Sequence, residues 1–301
     1  MDLRKLEAFY YVFKTGSFSR AAEEIFLSQP TVSTHISSLE KELGVKLFDR
    51  NGRNALPTPA GRLLFSRVRE LFDLLKKTKQ EISELKEQVE GEVIIGASTI
   101  PATYLLPPVL ANFLKEYPRV SVSLEVSDSW EIWNKTINGE VDFGLTGGIF
   151  EDDFLQVEKV LEDDLIVIAS PELNLDFTKV FNFSQLKTLP WVMREKGSGT
   201  RKAMERTLNQ ADVPFSELTV VLEVKTTEAL VQYVLNGIGL GFTSRMVVKD
   251  YLDKGLLKEV KIKDLHFSRS FYLVWNPRRE AFPLFCKLRE FIKNNIGKAR
   301  V

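Results

Sequence analysis

The chain has one cysteine and two histidines among its 301 residues. A single cysteine cannot form an intramolecular disulfide, which agrees with a reducing compartment. His35 and His266 are far apart in sequence, and neither belongs to a pattern with metal-ligand spacing. Cys286 lies among phenylalanines, so we interpret it as a small core residue rather than as a nucleophile. We therefore expect no metal, no cofactor and no catalytic activity.

Long apolar runs are also absent. No segment approaches the roughly 20 consecutive apolar residues that span a bilayer. The N-terminal stretch MDLRKLEAFYYVF has no small-residue cleavage site, so we do not predict a signal peptide. These absences predict a cytoplasmic protein that does not associate with membranes.

The chain as a whole has no excess of either charge, but one segment does. The chain carries 41 basic and 41 acidic residues. Residues 41–69, however, hold seven basic and two acidic side chains. Such an excess is typical of a surface that faces a polyanion, although many solvated faces are equally basic. Acidic pairs at 152–153 and 163–164 are interpreted as turn or strand-edge charges rather than as catalytic carboxylates.

The first sixty residues predict three short helices. Apolar spacing places the first from Leu3 to near Gly16 and the second from Ser19 to Phe26. The third begins after Ser28, a suitable N-cap, and ends at Gly44. Two helices joined by a turn of about three residues form a helix-turn-helix, whose second helix enters the major groove of DNA.

The third helix carries an unusual polar face. Its apolar stripe, Val32, Ile36, Leu39 and Leu43, leaves mostly short hydroxyl side chains on the other side. Hydroxyl groups are mediocre helix formers, but they allow a close approach to phosphates and base edges. An indifferent solvated helix is the alternative. The DNA-binding residues predicted on this helix are Gln29, Pro30, Thr31, Ser33, Thr34 and Ser37.

A basic turn follows this helix. Val45, Leu47 and Phe48 are predicted core residues, and Arg50 and Arg53 flank the turn Asn51-Gly52. A loop of this kind beside a helix-turn-helix is a wing, whose arginines contact the DNA backbone or minor groove. Thr58, placed to cap the next helix ahead of Pro59, is added to the predicted DNA-binding residues.

Arg50→Ala and Arg53→Ala should each weaken binding to every DNA sequence. Each change should also lower the slope of log affinity against log salt by about one, because each arginine is expected to neutralise one phosphate. Binding measured at several salt concentrations gives this slope. An unchanged slope would remove the wing from the DNA-binding surface.

A long helix is predicted from Thr58 to about Glu90. Apolar residues alternate at steps of four and three along it, with one polar position at Thr78. The seam consists of Leu64, Val68, Leu71, Leu75, Thr78, Ile82, Leu85 and Val89. This pattern favours a coiled coil, and so a homodimer through residues 59–90, over a lone amphipathic helix. A dimer also suits a DNA-binding module that reads two half-sites.

Beyond Gly91, β-rich runs alternate with helical patterns, which predicts an α/β region with largely parallel sheets. Three strand ends carry small hydroxyl residues before a helix, and ligands bind at such ends in open α/β sheets. Helix N-termini attract anions, and Arg201 adds a guanidinium suited to carboxylate, sulfate or phosphate. A capped surface helix is the alternative for the GSGTR stretch at 197–201.

These residues together resemble one known family, the LysR-type transcriptional regulators. The resemblance rests on FYYVFKTGSFSRAAEEIFLSQPTVSTHISSLEKELGVKLFDR and the following PTPAG, and it extends over the whole chain. The chain looks closest to the branch that regulates cysteine biosynthesis and carbon fixation. One departure is that Thr34 and Ser37 stand where the family often has longer polar or basic residues, so Gln29, Pro30 and Ser33 carry over best.

The resemblance implies an α+β multidomain protein. It would have a winged helix-turn-helix at 1–58, a coiled-coil linker helix at 59–90 and an effector-binding domain at 91–301. The last would resemble a periplasmic solute-binding protein, with subdomain I at 91–162 and 268–301, subdomain II at 163–267, and a ligand cleft between them. The matching effector-binding positions are Ser98, Thr99, Thr146, Gly147, Ser198, Thr200, Arg201 and Thr226, with Thr227 a weaker candidate.

The implied function is an effector-responsive regulator of transcription. Its expected partners are double-stranded promoter DNA, a small anionic metabolite, RNA polymerase and further copies of itself, in a homodimer or homotetramer. The alternative is a cytoplasmic solute-binding receptor that acts through protein partners rather than DNA. That alternative accounts for the C-terminal part of the chain but not for the helix-turn-helix.

Overall fold

The computed structural model describes residues 2–49, 55–84, 89–152 and 154–300. Contacts divide the chain into two compact units, Met1–Ile82 and Ser83–Val301, which we call the head unit and the C-terminal unit. Within the described ranges, each helix is too short or too polar to cross a membrane.

The head unit begins with three helices, as the sequence predicts. They are α1 (Leu3–Thr15), α2 (Phe18–Glu24) and α3 (Gln29–Leu43). The Ser28 hydroxyl accepts a hydrogen bond from the N–H of Thr31, which caps α3. Gly44 ends α3 with φ of 69°, in the left-handed region where glycine carries little steric cost. Helix boundaries set by caps are therefore confirmed within one or two residues.

Burial of α3 confirms most of its apolar stripe. Val32, Ile36 and Leu39 are fully buried in the head core, together with residues of α1 and α2. Leu43 and Val45 were expected in the core, but they are 40% and 47% exposed. That prediction was wrong because both residues flank the turn at Gly44, where the helical register is lost.

A buried carboxylate shapes the turn after α3. Glu40 accepts hydrogen bonds from the N–H groups of Leu47 (2.8 Å) and Phe48 (3.4 Å) and pairs with Lys46. Burial by itself would raise the pKa of Glu40, but these hydrogen bonds prevail and the pKa lies below its ordinary value. Glu40 thus ties the end of α3 to the start of the next strand.

A short antiparallel ribbon forms the predicted wing. It pairs β1 (Phe48–Asp49) with β2 (Leu56–Pro57). The wing arginines Arg50 and Arg53 lie outside the described residues. Their role in DNA binding stays a prediction.

The long helix α4 (Pro59–Glu84) follows the ribbon. The Thr58 hydroxyl accepts from the N–H of Gly61 and donates to the carbonyl of Lys46, which confirms Thr58 as the cap. Leu64 and Val68 of the predicted seam pack into the core of the head unit, so they are not free for a second helix. Leu85 lies outside the described residues.

The C-terminal unit alternates strands and helices over its whole length. Its strands are β3 (Gly91–Ser98), β4 (Val120–Ser127), β5 (Phe143–Thr146), β6 (Gln156–Ala169), β7 (Pro190–Arg194), β8 (Thr219–Val224), β9 (Leu240–Ser244), β10 (Lys258–Val260) and β11 (Phe267–Trp275). Its α-helices are α5 (Leu106–Glu116), α6 (Ser129–Ile137), α7 (Phe183–Leu186), α8 (Gly199–Gln210), α9 (Thr227–Leu235), α10 (Arg245–Asp253) and α11 (Pro283–Asn295). A π-helical turn, Pro101–Leu105, leads into α5.

These strands form one sheet in the order β4-β3-β5-β11-β6-β9-β7-β8, with β10 beside β6. Pairs at either end of this order are parallel, whereas each pair that involves β6 or β11 is antiparallel. The expected largely parallel sheet was therefore wrong at its centre. The reason is that β6 and β11 carry the chain from one side of the sheet to the other and back.

The long antiparallel pair β6/β11 separates two lobes. We call β3, β4, β5, α5, α6 and α11 the first lobe, and β7, β8, β9, α8, α9 and α10 the second lobe. The carboxyl ends of β3 and β5 in the first lobe approach those of β7 and the start of α8 in the second. This arrangement brings together segments that are far apart in sequence.

Candidate ligand cleft and nucleic-acid interface

The polar face of α3 is open to solvent. Gln29, Pro30, Thr34 and Ser37 are exposed, and Thr31 and Ser33 are half-buried. Two of the hydroxyls bond locally, since Thr34 donates to the carbonyl of Pro30 (2.9 Å) and Thr31 lies 2.7 Å from the Ser28 hydroxyl. Because of these local bonds, the hydroxyl side chains lie against the helix and do not project far from its backbone. Such a face suits a close approach to a DNA groove.

Thr58 occupies a different place from the other predicted DNA-binding residues. Both of its observed hydrogen bonds serve the start of α4. The geometry therefore favours a capping role for Thr58.

A set of buried hydroxyls lies between the two lobes of the C-terminal unit. Each of its members is no more than 9% exposed. The set consists of Ser98, Thr99, Ser129, Thr146, Ser198, Thr200 and Thr227. Five of these are predicted effector-binding residues, Thr227 was the weaker candidate, and Ser129 was not predicted. We call the region that they line the cleft.

Arg194 joins the two lobes on one side of the cleft. Its Nη1 group donates to the hydroxyls of Thr227 (2.6 Å) and Thr99 (3.2 Å), which are 3.1 Å apart. Its other nitrogens pair with the carboxylate of Glu195 at 2.7 and 2.8 Å. Arg194 is 3% exposed, so its charge acts in a low-dielectric setting.

Arg269 makes a similar connection on β11. Its Nε and Nη2 groups donate to the buried carboxylate of Asp163, at 3.1 and 3.0 Å, and its Nη1 donates to the Thr200 hydroxyl at 2.9 Å. Burial lowers the pKa of Arg269, and the nearby positive charge of Arg194 lowers it further. The ion pair with Asp163 raises the pKa, but the net shift is downward. The two arginines therefore share one electrostatic environment.

Asp163 was interpreted from sequence as a strand-edge charge, and that interpretation was wrong. It is 1% exposed and accepts from Ser244 as well as from Arg269. Asp164, its neighbour, is exposed because successive side chains of a strand point to opposite faces.

Arg201, the predicted anion ligand, is directed elsewhere. Its guanidinium pairs with Glu205 (2.8 Å) and Glu223 (2.7 Å), and it donates to the carbonyl of Arg194. The Arg201 charge is thus neutralised within the second lobe. The geometry favours Arg194 and Arg269 as the cationic residues of the cleft.

Helix N-termini converge on the cleft from both lobes. Asp128, Ser198 and Thr226 cap α6, α8 and α9, each by accepting from a backbone N–H of the first turn. Thr226 itself is exposed, and its neighbour Thr227 is the residue that enters the cleft. The carboxylate of Asp128 already offsets the partial positive charge of the α6 N-terminus, whereas α8 and α9 are capped by neutral hydroxyls, so these two N-termini favour an anion.

Close backbone contact holds the lobes together at the cleft. Ser129 of α6 accepts from the N–H of Gly147 at 3.1 Å. The N–H of Trp130 donates to the carbonyl of Gly197 at 3.3 Å, across the lobes. A Cβ on Gly199 would lie 2.5 Å from the carbonyl oxygen of Gly147. Only a residue without a side chain permits this approach.

The residues that sequence reasoning missed are Arg194, Arg269 and Ser129. Arg194 ends strand β7, so the same strand-end rule that found Ser98 and Thr146 could have found it. Arg269 lies near the start of β11, far from the carboxyl end where the rule would place a ligand, and no local signal marks it. Within the described residues, no group of three or more His, Cys, Asp or Glu side chains is arranged to hold a metal.

Two family models match the chain. The model for "Bacterial regulatory helix-turn-helix protein, lysR family" matches residues 3–62. The model for "LysR substrate binding domain" matches residues 86–297, more than half of the chain.

Similar curated proteins match the chain over most of its length. The chain is 33% identical to the uncharacterized HTH-type transcriptional regulator YeiE of Escherichia coli K12, covering 97% of this chain and 96% of that protein. It is 32% identical to a probable RuBisCO transcriptional regulator of Cyanidium caldarium, covering 90% and 87%. It is 31% identical to the HTH-type transcriptional regulator CysL of Bacillus subtilis, covering 91% of each.

Solved structures share the fold. Full-length CbnR complexed with its target DNA superposes with a TM-score of 0.67 at 19% identity, covering 98% of this chain and 99% of that chain. The regulatory domain of Synechocystis PCC6803 CcmR in complex with 2-PG superposes with a TM-score of 0.62 at 24% identity, covering 68% and 97%.

Proposed function

The chain belongs to the LysR family of DNA-binding transcriptional regulators, and on that premise we propose that its effector is a small anion held in the cleft. These proteins are regulators with an effector-binding domain, not enzymes. The observation that carries the proposal is the ring of buried hydroxyls beside Arg194 and Arg269.

The hydrogen-bond directions in the cleft explain why an anion suits it. Arg194 donates to Thr99 and Thr227, and Arg269 donates to Thr200, so these hydroxyl oxygens already act as acceptors. A hydroxyl that accepts from a guanidinium keeps its own proton for donation. Thr99 and Thr227 bond each other, so one hydroxyl proton of that pair and the proton of Thr200 remain for a ligand. Ser98 and Thr146 already donate to backbone carbonyls. The remaining donors, reinforced by helix N-termini, suit an oxyanion.

The chemical class of the effector is supported by the same features. Carboxylate, sulfate and phosphate all match hydroxyl and guanidinium donors. The structural neighbour CcmR is described in complex with 2-PG, and relatives include CysL and RuBisCO regulators. We propose small phosphorylated or carboxylated metabolites and sulfur oxyanions as the first candidates.

The mechanism that we propose is a shift between lobe arrangements. An anion that bonds both lobes favours the closed arrangement in proportion to its differential affinity. The expected subdomain boundaries, at about residues 163 and 267, fall in β6 and at the start of β11. These are the strands that connect the lobes. Closure would then repack the effector domains of an oligomer and redirect the DNA-binding heads on promoter DNA.

Thr99→Val tests the effector site. The change keeps the side-chain volume but removes a hydroxyl that faces Arg194 and Thr227, so we expect about tenfold weaker binding of the effector. Thermal shift of the full-length protein against sulfate, thiosulfate, phosphate, acetylserine and sugar phosphates identifies the ligand, and calorimetry measures its affinity.

The matched control is Thr219→Val, because Thr219 is an exposed threonine of β8 outside the cleft. Equal affinities for the Thr99→Val, control and unaltered proteins would contradict the site. Ligand binding that leaves the DNA footprint of the full-length protein unchanged would contradict the mechanism.

We propose that α4 supplies a dimer interface. Its exposed apolar stripe includes Leu71, Leu74, Leu75 and Ile82, each at least 36% exposed. A solvated helix does not retain such a stripe without a partner. A second interface, which would extend the dimer to a homotetramer, is proposed at the exposed apolar residues of edge strands β4 and β8: Leu124, Val126, Val220 and Val221.

Leu75→Glu should dissociate the α4 dimer, because it places a charge in an apolar seam. Sedimentation of the full-length protein should show a lower mass, and DNA affinity should fall because one head replaces two. Lys77→Gln, on the side of the same helix that faces away from the seam, is the control and should leave the mass unchanged, because the exposed 3.5 Å pair of Lys77 with Glu81 contributes little. Equal masses for both variants would exclude α4 as the interface.

The head unit also offers a surface for RNA polymerase, the remaining proposed partner. Phe26 is 95% exposed and has a φ of 54°, which a bulky side chain rarely adopts. Its ring lies in the turn just before α3 and contributes nothing to the head core. An exposed aromatic next to the DNA-binding helix suits a protein contact at a promoter. A regulator that acts on promoter DNA is expected in the cytoplasm.

A further inference from the structure

A cavity adjoins the cleft on the outer side of α8 and shares Gly147, Gly199 and Arg269 with it. Its volume is about 540 Å³, which is within the range of small-molecule sites. One wall is the outer face of α8, with Lys202, Arg206 and Asn209, and another is β11, with Ser270 and Tyr272. The third wall is the loop Gly147–Ile149 at the end of β5. We call this cavity the rear groove.

The rear groove is electropositive. Arg206 is exposed, and within the described ranges its guanidinium has no hydrogen-bond or ion-pair partner. Glu205, an acidic residue of the lining, is held by Arg201 at 2.8 Å. Lys202 faces Glu151 and Glu205, yet burial prevails and lowers its pKa.

Neutral hydrogen-bonding groups surround these charges. The side chains of Asn209, Ser270 and Tyr272 line the groove and make no hydrogen bond to other described side chains or backbone groups. Amides and hydroxyls of this kind recognise the hydroxyl groups of a ligand, while a guanidinium recognises a carboxylate or phosphate in a bidentate fashion. The combination matches a small anion that also carries hydroxyl groups.

Residues of both lobes form the rear groove, so a ligand bound there would affect how the lobes are held together. Lys202 of the second lobe donates to the carbonyl of Ile149 at 2.6 Å and lies 4.0 Å from the ring centroid of Phe150, both in the segment that follows β5. Arg269 lines the groove as well as bonding Thr200 in the cleft. A molecule that contacts α8, β11 and the Gly147–Ile149 loop at once would hold the lobes together.

We propose that the rear groove is a second ligand site that adjoins the cleft and is centred on Arg206, where it binds a small hydroxylated anion such as a hydroxycarboxylate or a sugar phosphate. Arg206 binds the anionic group, and Ser270, Tyr272 and Asn209 bind the hydroxyls. Because the walls come from both lobes, occupancy stabilises the closed arrangement.

Calorimetric titration of the full-length protein with citrate and with glucose 6-phosphate tests this site. Arg206→Ala should weaken binding of the better of the two probes about tenfold, as expected for loss of a charge-assisted hydrogen bond. Arg206→Lys should restore part of the affinity, since it returns the charge without the fork. Arg206 has no partner to lose, so the variants should fold like the unaltered protein.

Two further variants separate this site from the cleft and from bulk charge. A probe that also enters the cleft gives two binding events in the titration, and Thr99→Val, a cleft change, should leave the Arg206-dependent event unchanged. Lys263→Ala removes an exposed charge from a turn outside the groove and should also have no effect. Loss of probe binding in Thr99→Val with retention in Arg206→Ala would overturn the second site while supporting the cleft. Equal losses in Arg206→Ala and Lys263→Ala, or no binding of either probe at millimolar concentration, would overturn it as well.

Discussion

Asp163→Ala should destabilise the C-terminal unit by about 3 to 5 kcal/mol. The carboxylate of Asp163 is 1% exposed and accepts from Arg269 at 3.0 and 3.1 Å and from Ser244 at 2.6 Å. Its removal leaves the guanidinium of Arg269 buried, with only the Thr200 hydroxyl and the Phe271 ring, 4.4 Å from ring centroid to guanidinium carbon, as partners. An unpaired buried charge costs far more than the pair contributes when intact.

Calorimetric melting of the full-length protein measures this effect. For a unit of this size, each kcal/mol lowers the melting temperature by about 2 to 4 °C. The matched control is Asp164→Ala, one residue further along β6 and exposed, which should change stability by less than about 0.5 kcal/mol.

A double variant separates the charge from the packing. Asp163→Leu with Arg269→Met removes both charges and should recover much of the stability that Asp163→Ala loses. If the Asp163→Ala and Asp164→Ala proteins had the same melting temperature, the Asp163–Arg269 pair would not contribute to stability.

Gly199→Ala should prevent the lobes from reaching their observed contact. The added Cβ would lie 2.5 Å from the carbonyl oxygen of Gly147 and 2.6 Å from its carbon, and backbone atoms cannot move aside as a flexible side chain can. Alanine is otherwise favourable in a helix, so α8 itself should tolerate the change. Overpacking typically costs about 1 to 3 kcal/mol, and here that cost falls on the closed arrangement alone.

The expected consequence is a selective loss of effector response. A penalty of about 1 to 3 kcal/mol on closure corresponds to about 5- to 150-fold weaker effector binding. Binding of DNA without effector should be unchanged, because Gly199 belongs to the C-terminal unit. Both quantities follow from one set of fluorescence anisotropy titrations with labelled promoter DNA and increasing effector.

Gly148→Ala is the control for this prediction. It adds the same methyl group one residue after Gly147, but its nearest neighbour would be 3.6 Å away, an ordinary contact. Gly148→Ala should therefore respond to the effector as the unaltered protein does. A normal response from Gly199→Ala would show that the Gly147–Gly199 contact is not required for function.

Several features of the candidate sites could be predicted because they depend on near neighbours in sequence. Ser28 and Gly44 bound the recognition helix through contacts within a few residues, and the period of Val32, Ile36 and Leu39 identifies its buried face. The hydroxyls at 98–99, 146 and 198–200 follow strands or begin helices, so the general rule for α/β sheets finds them.

Other features depended on distant parts of the chain and could not be read from local patterns. Leu64 and Val68 continue a regular heptad pattern, yet the head core occupies them. The sequence near Arg201 offers one carboxylate partner, Glu205, which lies one helical turn further on. The second partner, Glu223, is 22 positions away and could not be found from the local sequence. A periodic pattern shows which side of a helix is apolar but not which surface covers it.

The sequence by itself determined the helix-turn-helix, the polar and solvent-exposed side of its third helix, the α/β character of the C-terminal unit and most of the buried hydroxyls between the lobes. Only the tertiary structure decided which charges enter the cleft. Asp163 and Arg269 are separated by 106 positions and meet because β6 and β11 pair antiparallel at the centre of the sheet. Caps and periodicity act over a few residues, whereas a buried ion pair depends on strand order and register, which no local pattern encodes.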